Sequence, residues 1–392
     1  MKNIPYGKQF IDDNDIQSVI EVLKSDYLTQ GGKIKEFEEE ISRYVSSKYS
    51  CTFNSATSAL HIACLSLGVS KGDLVWTSAN SFVASSNCAL YCGAEIDFLD
   101  IDKDTFLMSA EIIEKKLIKA KKNKKLPKVI ILVHLGGESC EMEKIFELSK
   151  QYKFKIIEDA SHAIGGSYKS IQIGSCKYSD LCVFSFHPVK IITTGEGGMI
   201  TTNNFKLYQK AKTLRTHGIV KDKSALINKK ESYWYYEQQN LGFNYRMTDI
   251  QAALGLSQFK KINKFILKRR KIALFYEEKF RKNNLIHIQK VRKPYESSFH
   301  LFIVKLDDEI AHHHRRIFEN LHKLGILVQL HYMPIYLNPY YKNLGFKKGY
   351  CPISEKYANT CFSIPLHPSL KEDQISFVAD NLNILTKKAS DF

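Results

Sequence analysis

Two residues in this sequence have types and surroundings suited to covalent chemistry on a carbonyl group. Lys190 closes Ser185-Phe186-His187-Pro188-Val189-Lys190, directly after the apolar run Leu181-Cys182-Val183-Phe184. A lysine at the mouth of a buried strand loses water, which lowers its pKa and favours the neutral amine. Such an amine forms a Schiff base with an aldehyde. Asp159 ends a second apolar run, Phe154-Lys155-Ile156-Ile157, 31 residues earlier. A carboxylate there needs a cationic partner. The protonated ring nitrogen of pyridoxal phosphate is one such partner, and protonation makes that ring an electron sink. Taken singly, each has a plainer reading: Lys190 as one surface lysine among many, Asp159 as a helix N-cap.

Two further segments suit a cofactor with a phosphate and a ring. Asn54-Ser55-Ala56-Thr57 stands between an apolar run and a helical pattern. Free first-turn amides and hydroxyls there suit a phosphate, and ordinary N-capping fits equally well. Phe82 opens the next helical pattern and can stack on a ring face or fill the core.

These residues share a setting. Cys51–Phe53, Asp73–Trp76, Val129–Val133, Phe154–Ile157 and Leu181–Phe186 are short apolar runs without alternation, each leading into a polar tip. Helical patterns intervene. That arrangement predicts a mostly parallel sheet buried on both faces, with ligands beyond the carboxyl ends of the strands. Residues 12–25 read as a helix with Ile16, Val19, Ile20 and Leu23 on its apolar stripe, and 33–45 as a second helix. From Asp249 to about Lys282 the pattern predicts one long helix. A strand at 299–305, a helix at 310–324, a strand at 326–332 and a helix near 372–386 predict a smaller α+β unit. The division is placed at 1–255 for the large unit with the N-terminal segment, and 256–392 for the linking helix and small unit.

Taken together and in this order, the motifs resemble the DegT/DnrJ/EryC1/StrS family of pyridoxal-phosphate-dependent nucleotide-sugar aminotransferases. The likeness rests on Leu28-Thr29-Gln30-Gly31, Asn54-Ser55-Ala56-Thr57-Ser58-Ala59-Leu60, Glu158-Asp159-Ala160-Ser161-His162-Ala163, Ser185–Lys190, Gly195-Glu196-Gly197-Gly198 and Gly242-Phe243-Asn244-Tyr245-Arg246. It covers nearly the whole chain. The resemblance implies an α/β fold of the type I, aspartate aminotransferase-like class. It further implies that Lys190 carries pyridoxal 5'-phosphate as an internal aldimine and that Asp159 partners the ring nitrogen. By the same resemblance His162 meets the 3-hydroxyl and Phe82 stacks on the ring. Ser55, Ala56, Thr57, Ser185 and His187 fall around the cofactor and its phosphate. Asn244 matches an asparagine reaching across from a second subunit, which implies a homodimer with shared sites. Some relatives carry histidine at the lysine position and act as sugar 3-dehydratases; retention of Lys190 implies transamination.

A narrower likeness, carried by Phe53–Leu60, Val183–His187 and His331-Tyr332-Met333-Pro334-Ile335-Tyr336, is to members of the family that serve pseudaminic acid synthesis. It implies L-glutamate as donor and C4 of a UDP-linked 4-keto-6-deoxy-N-acetylhexosamine as acceptor. Tyr6, Asp26, Tyr27, Leu28, Thr29, Ala56, Ser185, Asn244, Arg246, His331, Tyr332, Met333 and Pro334 would then serve substrate. Asp26 and Tyr27 depart from the family pattern. Arg246 suits a glutamate carboxylate, or an interface ion pair. A keto sugar of the legionaminic acid or perosamine type is the rival substrate.

The 392 residues carry a net charge of +16. That balance raises nucleic acid as a partner, or a regulator that senses a ligand through an aminotransferase-like domain. Lys115–Lys128, however, holds eight lysines and no acid, and Lys260–Lys271 seven Lys or Arg and no acid. Both read as solvated faces away from the strand tips, and the family likeness leaves no room for a DNA-binding module. No nucleic-acid partner is therefore expected. Nine cysteines without a Cys-x-x-Cys pair predict reduced thiols in the cytoplasm. No apolar run reaches the ~18 residues of a membrane helix, and Met1–Gly7 lacks the apolar core of a secretion signal. No Gly-x-Gly-x-x-Gly follows a strand, against a nicotinamide enzyme. His312-His313-His314 point different ways on a helix, so no metal is expected. Cys88 and Cys92, one turn apart, read as core thiols. Tyr233–Tyr236 reads as interface, lid or packed loop.

Overall fold

A computed structural model describes residues 3–228 and 232–390. Its centre is a seven-stranded sheet in the order Tyr49–Phe53, Gly198–Thr202, Leu181–Ser185, Lys155–Asp159, Val129–Val133, Leu74–Ser78, Glu95–Leu99. Only Gly198–Thr202 runs antiparallel to its neighbours. The lack of alternation in the sequence has a direct cause. Val129 and Ile131 pack into one core while Ile130 and Leu132 pack into another on the opposite face. Burial of both faces requires apolar residues at every position.

A three-stranded antiparallel sheet, Ile286–Ile288, Phe302–Leu306 and Cys361–Ile364, forms the centre of the C-terminal part. The helices Ile262–Phe280, His314–Lys323 and Glu372–Ser390 contribute Ile272, Tyr276, Ile317, Leu321, Val378 and Leu382 to its core. The N-terminal strand Ile4–Pro5 pairs in parallel with Ile326–Leu327, and Ile4 is buried in this same core. Tyr6 is thereby delivered to the junction between the two sheets. No helix among the described residues is long and apolar enough to cross a membrane.

Several sequence expectations are corrected. The first helix spans Asp13–Leu23, and its buried residues are Asp15 and Val22, whereas Ile16 and Leu23 are exposed. Polar bonding sets that orientation: Asp15 accepts from Ser257 Oγ at 2.6 Å, Gln258 Nε2 at 2.7 Å and Lys261 Nζ at 2.7 Å. The same contact explains why Asp249–Lys282 is two helices, Asp249–Phe259 and Ile262–Phe280. Lys261 sits at the break and reaches both Asp12 and Asp15. The strand expected at 326–332 is only Ile326–Leu327, after which the chain turns toward the junction.

The basic runs are not wholly solvated. Arg269 is 1% exposed and donates to the carbonyls of Phe299, His300 and Leu366. Lys116 pairs with Asp97 at 2.7 Å beside the Trp76 ring. Cys92 is half-buried, in contrast to Cys88.

Candidate active site

The carboxyl ends of Lys155–Asp159 and Leu181–Ser185, together with the loop before the helix Ala56–Ser66, open into a cleft of about 550 Å³. Lys190, Asp159, His162, Ser185, His187, Ser55, Ala56, Thr57, Phe82, Tyr6, His331 and Tyr332 line it. The structure thus brings twelve of the sequence-selected residues to one place from six separate stretches of chain.

Both oxygens of the Asp159 carboxylate are tied down. Ser85 Oγ donates to Oδ2 at 2.7 Å, and Ser161 Oγ donates to Oδ1 at 2.6 Å. Burial lowers the Lys190 amine to about 8, and the nearby Asp159 charge partly offsets this. A substantial fraction is therefore neutral near physiological pH, as attack on an aldehyde requires.

His162 is oriented from two sides. Gly136 N donates to its Nδ1 at 3.3 Å, and its Nε2 faces Tyr332 OH at 3.2 Å. Gly136 has φ +75°, a left-handed conformation that glycine adopts without strain. With Nδ1 accepting, the neutral tautomer carries its proton on Nε2, toward the cleft. Burial, then the Lys190 and His331 charges, push His162 well down, so it is neutral. Burial and Lys190 likewise push His331 down to about 3.

One end of the cleft is the start of the helix Ala56–Ser66. Ser55 caps it, accepting from Ser58 N at 3.1 Å. The first-turn amides of such a helix lie ahead of its internal ladder and suit an anion. Gly198 makes this approach feasible: a Cβ there would stand 2.5 Å from Ser55 C, Ser55 O and Ala56 N. Phe82 and Tyr332 flank the opening, with ring centroids 6.1 Å apart. Tyr6 packs edge-on against His331 at 4.7 Å. A phosphate-bearing aldehyde with a basic ring nitrogen fits this donor set: helix amides for the phosphate, Lys190 for the aldehyde, Asp159 for the nitrogen, His162 for a ring oxygen.

The remaining selected residues lie outside the cleft wall. Asp26, Tyr27, Leu28 and Thr29 form an exposed loop, anchored where Asp249 N donates to Leu28 O at 3.0 Å. Asn244 is exposed and bridges to Thr216, and Arg246 lines a separate groove with Glu38 and His217. Met333 is exposed, and Pro334 precedes the short helix Ile335–Leu337. Tyr233, Trp234 and Tyr236 are exposed, which leaves packed loop aromatics as the least suitable of their three readings. Sequence reasoning missed Ser81, Ser161 and Gln329 on the cleft wall, and Ser85 behind Asp159. Ser161, two residues beyond Asp159, was within reach of such reasoning. Ser85 becomes visible only once the helix Ala84–Tyr91 is placed against the strand.

Known proteins resemble this chain over nearly its whole length. The profile of the DegT/DnrJ/EryC1/StrS aminotransferase family matches residues 9–383. A UDP-4-amino-4,6-dideoxy-N-acetyl-beta-L-altrosamine transaminase of Campylobacter jejuni is 39% identical over 386 residues, 98% of either chain. Helicobacter pylori PseC, an aminotransferase involved in the biosynthesis of pseudoaminic acid, superposes with a TM-score of 0.91 at 32% identity, over 99% of this chain and 100% of that one. Spr1654 from Streptococcus pneumoniae, in its PLP form, superposes at 0.89 with 29% identity, over 99% of each chain.

Proposed function

This chain belongs to the DegT/DnrJ/EryC1/StrS aminotransferase family, and we propose that it aminates C4 of a UDP-linked 4-keto-6-deoxy-N-acetylhexosamine with L-glutamate as donor. The coarser reading, a nucleotide-sugar aminotransferase, follows from the family and from relatives aligned end to end. The finer one is supported by the Campylobacter relative at 39% identity. The observation that carries the reading is the convergence of Lys190, Asp159, Phe82 and the Ser55–Thr57 helix start on one cleft.

Pyridoxal phosphate, when bound, supplies an electron sink for the carbanion left when a proton departs the amino-bearing carbon. The protein's share is positioning and proton handling. Ser55–Thr57 and Ser185 hold the phosphate end, and Phe82 covers one ring face. Asp159, fixed by Ser85 and Ser161, keeps the ring nitrogen protonated. His162 offers its Nε2 proton to the ring oxygen. Lys190 Nζ, whose pKa of about 8 leaves a large neutral fraction, would take a proton from the donor carbon and return it to the carbon on the far side of the intervening nitrogen. The second half-reaction reverses these moves on the keto sugar, so parallel-line steady-state kinetics are expected.

Tyr6, His331 and Tyr332 line the cleft and would meet the sugar; Asp26–Thr29 and Met333–Pro334, outside its wall, would serve substrate by the family likeness. No arginine lines the cleft among the described residues. A dicarboxylate donor therefore favours a homodimer in which Asn244 and Arg246 complete the partner's site. Residues 1–255 would form the cofactor-binding unit and 256–392 the small unit. The nine free thiols fit a cytoplasmic protein.

The test is incubation with L-glutamate and UDP-4-keto sugars of both C5 configurations, with the product solved by NMR. A 4-amino sugar formed from the pseudaminic-type isomer supports the proposal. Preference for the other isomer, or for a GDP-linked keto sugar, would move the substrate assignment to a rival within the family.

A further inference from the structure

Behind the central sheet lies a buried titratable pair with no part in the proposed reaction. Glu158 directly precedes Asp159, and successive residues of a strand point to opposite faces, so its carboxylate turns away from the cleft. His134, fully buried, follows the neighbouring strand Val129–Val133. Its Nε2 stands 2.8 Å from Glu158 Oε2, and Ser179 Oγ donates to Glu158 Oε1. Both oxygens are thereby satisfied, as a buried carboxylate requires. The other ring nitrogen, Nδ1, accepts from Cys140 N at 3.2 Å. That bond closes residues 134–140 into a loop. Within it Gly136 N donates to His162 Nδ1 at 3.3 Å. Gly136 and Gly137 have φ of +75° and +104°. Two such permissive residues in a row leave the direction of the Gly136 amide to be set from outside.

We propose that His134 is a positioning residue for His162: it closes the loop 134–140, aims the Gly136 N–H at His162 Nδ1, and so keeps the His162 proton on Nε2, toward the cleft. Glu158 in turn orients the His134 ring. The inference rests on the reading of His162 as the partner of the cofactor's ring oxygen, and goes beyond it by naming what sets its tautomer.

The two histidines are built alike. Each accepts a backbone N–H of this loop on Nδ1, and each presents Nε2 to an oxygen, Glu158 Oε2 in one case and Tyr332 OH in the other. The proton of a neutral imidazole sits on the nitrogen that is not accepting. Burial disfavours a charged His134 ring, and Glu158 favours it. The Cys140 N–H decides for the neutral ring, because a proton on Nδ1 would face it head on. His162 in the opposite tautomer would set its Nδ1 proton against Gly136 N–H and turn a lone pair to the cleft. It could not then donate to a ring oxygen.

The loop has other anchors. Gln289 Nε2 donates to Leu135 O at 3.1 Å, and Leu301 N donates to Gly136 O at 3.3 Å. Both hold carbonyls from the C-terminal part of the chain. His134 ties the loop instead, through Glu158, to the strand that carries Asp159, and its own N donates to Asp159 O at 3.1 Å. The groups that meet the ring nitrogen and the ring oxygen are thereby held in one frame.

The experiment uses the full-length protein with His134→Gln. The glutamine amide nitrogen takes the place of Nε2 and keeps the Glu158 bond, while Cys140 N loses its acceptor. Imidazole nitrogen NMR of the cofactor-free protein, labelled at histidine and assigned with His162→Asn, reads the His162 tautomer. A single tautomer protonated on Nε2 is expected in the unsubstituted protein, and a mixture in His134→Gln. Affinity for pyridoxal phosphate should fall about two- to tenfold, the loss of one hydrogen bond. The visible absorbance maximum of the loaded protein should move, with circular dichroism unchanged. In a His162→Asn background, His134→Gln should change neither affinity nor absorbance further. A single His162 tautomer in folded His134→Gln, or an undiminished effect in the His162→Asn background, would overturn the proposal and leave Gln289 and Leu301 as sufficient anchors. His134→Asn is the second variant, and decides alone if His134→Gln does not fold. Its side-chain oxygen takes the place of Nδ1 and keeps the Cys140 bond, so His162 should stay in one tautomer; a mixture there would overturn the role of the loop. A protein that binds no pyridoxal phosphate would count against the transaminase reading and leave the tautomer result standing.

Discussion

Ser85 Oγ donates a 2.7 Å hydrogen bond to Asp159 Oδ2 in a buried setting, from a helix 74 residues earlier in the chain. The bond holds the carboxylate that the proposed reaction needs in one orientation. Ser85→Ala removes a charge-assisted bond worth about 1.5–3 kcal/mol. Its kcat/KM is expected to fall about tenfold or more, while Asp159→Asn should cost at least about a thousandfold. Steady-state assay of both variants with the keto sugar checks the ordering; a Ser85→Ala variant at full activity would contradict it.

The Lys190 amine, lowered from 10.5 to about 8 by burial, gives a pH prediction. Only the neutral amine captures the aldehyde, and its fraction rises as pH rises through the pKa. Recombination of cofactor-free protein with pyridoxal phosphate should therefore speed up about tenfold per pH unit below 8 and level off above it. Stopped-flow absorbance follows the process. A rate still climbing at pH 10 would assign capture to an unperturbed lysine.

Gly198 sits where any Cβ would meet the Ser55 and Ala56 backbone at 2.5 Å. Gly198→Ala must displace the helix start proposed to receive the phosphate, at a cost of about 1–3 kcal/mol. Cofactor affinity is expected to drop about tenfold, read by equilibrium dialysis, with the circular dichroism spectrum unchanged.

The buried Asp249 carboxylate caps a helix far away in sequence. It accepts from Gly31 N at 2.7 Å and Lys33 N at 2.9 Å at the start of Gly32–Val45, a helix whose own N-cap, Gly31, supplies no side chain. Asp249→Ala leaves those amides unsatisfied and should destabilise the fold by about 2–4 kcal/mol. A lowered urea midpoint at unchanged slope is the expected result; an unchanged midpoint would contradict it.

The sheet and its tips were legible because strands buried on both faces are apolar at every position, as Val129–Val133 shows. Lys190 and Asp159 were legible because a charged residue closing such a run is conspicuous. The first helix was misread because its buried face is polar: Asp15 is sealed by Ser257, Gln258 and Lys261, partners more than 240 residues away. That pairing also turns the chain at Lys260–Lys261, a break that an uninterrupted basic pattern does not announce. Ser85 escaped notice for a similar reason, since its role depends on how the helix Ala84–Tyr91 packs against the strand that ends at Asp159.

The most direct test of the central claim is reductive trapping. The protein loaded with pyridoxal phosphate is treated with borohydride, digested and mapped by mass spectrometry. The account predicts the pyridoxyl mass on the peptide bearing Lys190, and loss of both the label and the visible absorbance in Lys190→Ala. A label on any other lysine, or turnover retained by Lys190→Ala, would contradict it.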